Sequence, residues 1–312
     1  PEKYQEIREA LLRLFHRYVS ELRNRKVFFA IPTKTELINL QKRLMLNISK
    51  GNRNYNTLLA SSACAQAVKL QHALELLETQ TIQGFNKYLK ELFVQAAKKQ
   101  NKGVMKLVAK PEFNFAFITS EELLARGHEH PKIEALRKIV EGEFQKNEKA
   151  KVMVFSQFRE TARILCKTLN SIMGVQAKVF IGQAKKAVAG SDSGEVSGLS
   201  QKEQKKIIHE FSRREINVLC ATSIGEEGLD IPEVNVVVFY EPVASAIRTI
   251  QRAGRTARLM KGKLVMLITR KTRDEAYFYA SRAREKKMHS AIISIKDDLK
   301  NGNSGEIQEK LE

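Results

Sequence analysis

Cysteine is scarce in this sequence, and the three thiols present do not form a pattern. Cys64, Cys166 and Cys220 stand far apart with no Cys-x-x-Cys pair. Cys166 and Cys220 lie inside apolar runs, so the expectation is reduced, buried thiols in a cytoplasmic protein rather than a disulfide framework. Six histidines are scattered without metal-ligand spacing, and no metal ligand is assigned. No apolar run approaches the roughly 20 residues that cross a bilayer, so no membrane partner is expected. No internal repeat with a solenoid-like period is visible. The N-terminus is no secretory leader, and with proline at position 1 the chain is expected to be cut from something longer. No Gly-x-x-x-x-Gly-Lys-Ser/Thr occurs either, so the loop that cradles phosphates and supplies a Mg²⁺-binding hydroxyl is missing. The pair Asp274-Glu275 superficially resembles a Mg²⁺-binding acidic box. Polar Thr269-Arg270-Lys271-Thr272-Arg273 precedes it, however, where an apolar strand belongs. Thr272 with Glu275 reads instead as a capping box opening a helix.

Acidic residues are also in deficit: 35 Asp and Glu stand against 54 Lys and Arg, a formal charge of +19. A surplus that large points to a polyanion, because neutralising phosphates releases condensed counterions. The 43% apolar content is enough for a sizeable core.

The first 125 or so residues read as helices. Ile7, Leu11, Leu14, Phe15, Tyr18 and Leu22 recur at three- and four-residue steps, which makes one apolar stripe. Thr33 with Glu36 suggests a capping box before Leu37, Leu40 and Leu44. The same period continues over 58–77 and 85–97, with polar breaks at 51–54 and 100–103. His128 and His130, just before Pro131, are expected to be linker residues.

From there the pattern changes. A helix over 132–144 precedes the short apolar run Val152-Met153-Val154-Phe155. Further strands are expected at 177–181, 218–221, 234–240 and 264–269. Helices are expected at 161–169, 200–211 (opened by Ser200 with Glu203), 245–253 and 273–287. Strands alternating with helices, with runs apolar throughout, indicate a parallel sheet buried on both faces. Such folds bind ligands beyond the carboxyl ends of the strands. The Ala-, Gly- and Ser-rich stretch 187–198 reads as a mobile loop, and the residues from Asn301 as a frayed tail.

Three segments fall where such a sheet presents its loops: Ser156-Gln157-Phe158-Arg159, Thr222-Ser223-Ile224-Gly225-Glu226-Glu227-Gly228-Leu229-Asp230, and Gln251-Arg252-Ala253-Gly254-Arg255-Thr256-Ala257-Arg258. Hydroxyls, glycines, acidic residues and four arginines, three of them in the last segment, suit a phosphate-rich ligand. Glycine lets backbone approach closely, hydroxyls meet phosphate oxygens, and guanidinium groups match charge on a transferred phosphoryl group. Other readings stay open. The arginines could be a solvated helix face, Asp230 could cap the turn before Pro232, and Arg159 could be a surface residue.

In order and separation the three segments resemble motifs IV, V and VI of superfamily 2 helicases. Within that superfamily the sequence is similar to the archaeal Hef and Fanconi-anaemia group M family. The likeness includes Gly198-Leu199-Ser200-Gln201-Lys202-Glu203-Gln204, Phe239-Tyr240-Glu241-Pro242, Thr272-Arg273-Asp274-Glu275-Ala276-Tyr277 and, in the helical part, Ala73-Leu74-Glu75-Leu76-Leu77-Glu78-Thr79-Gln80. The resemblance implies an α/β class: a RecA-like parallel sheet flanked by helices over 127–300, preceded by an all-α, thumb-like insertion over 1–126, with 301–312 as tail. It implies that Arg255 and Arg258 act as arginine fingers on ATP. Gln251 would stand beside the nucleotide, and Asp230 near its ribose with Gly228 allowing the approach. Thr222, Gln157 and Arg159 would contact the DNA backbone. Ala257 stands where relatives usually carry glycine.

The cofactor implied is ATP with Mg²⁺, the Mg²⁺ ligands lying in an N-terminal RecA-like domain of the same protein. The partners implied are that domain, DNA forks and junctions, and in Hef a C-terminal nuclease, whose Glu-Arg-Lys core is absent here. The location implied is nucleoid-associated in an archaeon or nuclear in a eukaryote. Two other classes compete: an RNA-binding helicase module of the RIG-I and Dicer type, and a non-catalytic nucleic-acid-binding module.

Overall fold

In the computed structural model the residues described are 2–51, 53–182, 198–222, 232–242, 262–284 and 286. Packing divides the chain into two units, Pro1–Ile133 and Glu134–Glu312.

The first unit is helical: α1 (Glu2–Asn24), α2 (Lys34–Ser49), α3 (Tyr55–Thr79), α4 (Ile82–Ala97), α5 (Lys102–Val108), α6 (Pro111–Ala125) and the start of α7 (Pro131–Lys146). Around α3 the small residues Ala60, Ala63, Ala67 and Ala73 are buried, so neighbouring backbones can approach it. The α1 stripe of Ile7, Leu11, Leu14, Phe15 and Leu22 is buried as its spacing requires. Side-chain caps open four of these helices, at Thr33, Asn54, Thr81 and Asn101, each satisfying an otherwise orphaned amide. The cap at Asn101 makes Lys102-Gly103 the first residues of α5 rather than a break.

The boundary drawn from sequence at 126/127 precedes the structural division by the turn that carries the two histidines. His130 is no linker residue: it is 3% exposed and packs edge-on to Tyr4, with ring centroids 6.0 Å apart. Lys132 is also buried; its amide donates to His130 Nδ1 at 3.3 Å and its Nζ to the Thr79 carbonyl at 3.3 Å. Arg8 Nε donates to buried Glu78 at 2.7 Å. Sequence periodicity misses this cluster because its polar residues earn burial only through partners distant in the chain.

The second unit is a parallel sheet of β1 (Val152–Phe155), β2 (Ala177–Phe180), β3 (Val218–Ala221), β4 (Val236–Phe239) and β5 (Lys263–Met266), in the order β2-β3-β1-β4-β5. Central strands β1, β3 and β4 are buried at every residue. The two edge strands depart from the apolar-throughout expectation: Lys178, Lys263 and Leu264 are exposed, because an edge is covered by one neighbour only.

Alternate residues face opposite sides. Met153, Phe155, Leu219, Ala221, Val237 and Phe239 form a core with Ile207 and Phe211 of α9 (Gln201–Ser212). On the other face, Cys220 of β3 hydrogen-bonds Cys166 of α8 (Arg159–Leu169), and that bond together with burial holds the Cys220 thiol well above its ordinary value. All three thiols are free and buried. A capping box opens α9: Ser200 Oγ accepts from the Glu203 amide while Glu203 accepts from the Ser200 amide.

The helix start near Thr272 is present over 273–284, but its bonds differ from the expected box. The Asp274 amide donates to Thr272 Oγ1 at 3.2 Å, and Glu275 accepts from the Lys271 amide at 2.7 Å. Asp274 accepts from the Thr269 amide at 3.1 Å. Both carboxylates therefore serve the helix start. The expected helix 245–253, most of the loop 187–198 and the tail 301–312 lie outside the described residues. Among the described residues no helix is long and apolar enough to cross a membrane.

Candidate functional site

Strand order fixes where a ligand can sit. From β1 the chain crosses to β2 and β3 on one side, then returns to β4 and β5 on the other. The strand order therefore reverses between β1 and β4, and in open parallel sheets ligands bind beyond the carboxyl ends of the strands at such a switch point.

Ser156 continues the ladder, its amide donating to the Ala221 carbonyl at 2.9 Å; Tyr240 does the same to Phe155 at 2.8 Å. One residue further the ladder ends and a carboxylate takes over. Glu241, 5% exposed, accepts from Ser156 Oγ at 3.2 Å through Oε1 and from the Gln157 amide at 3.0 Å through Oε2. Such charge-assisted bonds are what make a buried carboxylate tolerable. The Gln157 side chain itself is exposed.

Arg159, the first residue of α8, donates from Nη2 to the Gly182 carbonyl at 3.3 Å. That carbonyl follows β2, whose end is also held by Gln204 Nε2 donating to the Ile181 carbonyl at 3.0 Å. Thr222 follows β3, buried, its amide donating to the Phe180 carbonyl at 3.2 Å. Because β1 and β3 pair Phe155 with Ala221, Ser156 and Thr222 are the next residues on neighbouring strands. The folding of the sheet thus brings Gln157 and Arg159, from the segment after β1, to the same edge as Thr222, which follows β3.

Comparison with known proteins bears on this edge. The family model described as the helicase conserved C-terminal domain matches residues 131–260, and one described as a putative ATP-dependent RNA helicase, helical bundle, matches 3–122. The crystal structure of the Pyrococcus furiosus Hef helicase domain superposes with a TM-score of 0.73 at 37% identity, covering 90% of this chain and 56% of that one. The chain belongs to the Hef and Fanconi-anaemia group M family of superfamily 2 helicases. It is 38% identical over 263 residues to a putative ATP-dependent RNA helicase of Methanocaldococcus jannaschii, covering 84% of this chain and 31% of that protein. It is 37% identical over 184 residues to the ATP-dependent DNA helicase fml1 of Schizosaccharomyces pombe, covering 58% of this chain and 20% of that protein. The chain thus spans at most about a third of either curated relative. The five-stranded parallel sheet is the RecA-like fold of the helicase C-terminal domain, and the region before it is all helical.

For this Hef-family chain, Gly228, Asp230, Gln251, Arg255 and Arg258 lie outside the described residues. Among the described residues, no group of three His, Cys, Asp or Glu could hold a metal ion. Glu241, within Phe239-Tyr240-Glu241-Pro242, is a further candidate that no motif assignment covers. Sequence alone offered only an acid two residues past an apolar run; its role depends on β4 lying beside β1.

Proposed function

We infer that this chain is the C-terminal motor half of an ATP-dependent superfamily 2 DNA helicase or translocase acting on forked or branched DNA in the repair of stalled forks. The observation that carries the reading is the convergence of Gln157, Arg159 and Thr222 beside the switch point of a RecA-like sheet. The net charge of +19 and relatives that include the DNA helicase fml1 support it.

In this reading Thr222, Gln157 and Arg159 hold the DNA backbone, which sets register without reading sequence. ATP with Mg²⁺ supplies phosphoryl transfer to water, with the Mg²⁺ ligands in an N-terminal RecA-like domain. Arg255 and Arg258 reach across the interdomain cleft toward the charge that develops on the transferred group. Gln251 stands beside the nucleotide and Asp230 near its ribose, with Gly228 leaving room. One wall of the cleft cannot supply catalysis, so the chain by itself is inactive. The basic helical unit adds grip on the branch.

A second reading is RNA binding, favoured by the similarity to a putative ATP-dependent RNA helicase and by the match to the RNA-helicase helical-bundle family. Equilibrium competition between forked DNA and double-stranded RNA for the purified chain separates the two. Preference for the fork supports the DNA motor, and preference for the RNA duplex replaces it with the RNA module.

A further inference from the structure

We propose that Glu241 is a positioning residue that sets the Ser156-Gln157 turn for nucleic-acid binding, acting through Gln157; this rests on the motor reading above. Glu241 is buried where the β1–β4 ladder stops, and both its oxygens reach across to the turn that follows β1.

Three features separate this arrangement from ordinary loop packing. First, Ser156 Oγ has one proton and two acceptors in range, Glu241 Oε1 at 3.2 Å and the Phe158 carbonyl at 3.3 Å. Glu241 Oε1 is the nearer of the two acceptors, and the same Oγ accepts from the Phe158 amide at 3.3 Å. The serine is thereby oriented by Glu241 and in turn orients the entry into α8. Second, with its amide tied to Glu241, Gln157 projects its side chain outward at the edge where a backbone phosphate would lie. Third, the clamp spans the switch point, joining the segment after β1 to the one after β4. That second segment leads in sequence to Gln251 and Arg255, so one carboxylate joins the nucleic-acid turn to the chain approaching the nucleotide residues.

The test uses the parent protein carrying both motor domains, with ATP turnover followed as forked DNA is titrated. Glu241→Ala removes both bonds. The DNA concentration giving half-maximal turnover should rise about tenfold, the scale of a lost charge-assisted hydrogen bond, while turnover at saturating DNA falls less than about threefold. Glu241→Gln can accept from the Gln157 amide and donate to Ser156 Oγ, and should restore the half-maximal concentration to within about threefold of wild type. Gln157→Ala should raise it as well, and adding Glu241→Ala to Gln157→Ala should add less than about twofold, since the two act as a unit.

Additive effects, or an unchanged half-maximal concentration in Glu241→Ala, would overturn the inference while leaving the motor reading intact. If Glu241→Ala does not fold, Ser156→Ala takes its place: a rise of about threefold supports the proposal, and no rise overturns it. A wild-type protein whose turnover ignores DNA would overturn the motor reading and the inference with it.

Discussion

Phe155 and Phe239 are register partners on neighbouring strands, their rings stacked 16° from parallel with centroids 5.2 Å apart. The pair closes the core immediately beneath the edge where Ser156 and Glu241 meet, so the packing that stabilises the sheet also sets the separation of the two loops. Phe239 is fully buried. Phe239→Ala should cost about 3–5 kcal/mol of unfolding free energy by denaturant titration. A loss below about 1 kcal/mol would mean that the core does not depend on this ring.

Ser200 begins a short helix whose N-terminus is closed by reciprocal bonds with Glu203. Ser200→Ala should lower stability by about 0.5–2 kcal/mol without altering the sheet. Glu203→Gln should retain most of the cap. Equal losses from both substitutions would show that charge, rather than the pair of bonds, closes the helix.

Burial, reinforced by the charge of Lys132, holds the His130 imidazole down at about 3. Between about pH 3 and 6.5 the unfolded chain therefore binds a proton that the folded chain refuses. Stability is fully present above about pH 6.5 and falls as pH drops through that window, by about 1.4 kcal/mol per unit from this group. His130→Gln should flatten the wild-type profile between pH 4 and 6.5 in denaturation curves taken at matched salt. Parallel wild-type and variant profiles would remove His130 from the account.

Arg159 is engaged with the Gly182 carbonyl and is also assigned to the DNA backbone. A plot of log affinity for double-stranded DNA against log salt separates the two roles. If Arg159 neutralises a phosphate, Arg159→Ala should reduce the slope by about 0.9. An unchanged slope with weaker binding would leave it as a prop for the end of β2.

Much of this fold is legible in the sequence, for reasons that specific residues make plain. The strands at 152–155 and 218–221 stand out because a four-residue apolar run bounded by polar residues is too short for a helix. The start of α9 is announced by Ser200 and Glu203. The short helix α5 escapes because seven residues give too few turns for a period, and the exposed face of β5 because edge position is a property of the whole sheet. The burial of His130, expected as a linker residue, and of Lys132 escapes for a related reason: it depends on Tyr4 and Thr79, more than fifty residues away in sequence. The same holds at the functional edge. Gln157, Arg159 and Thr222 are signalled by motif order, whereas Glu241 becomes visible only once β1 and β4 are neighbours and its carboxylate is seen to reach Gln157.

In the proposed motor, Arg255 and Arg258 complete an ATP site whose other wall lies in a preceding domain. The direct measurement is steady-state ATP turnover of the parent protein carrying Arg258→Ala, with the fork-DNA dissociation constant measured on the same preparation. The account predicts turnover reduced by about 10³-fold or more, the scale of a lost arginine finger, with DNA affinity within about threefold of wild type. Turnover near wild type, or turnover and DNA affinity lost together, would contradict it.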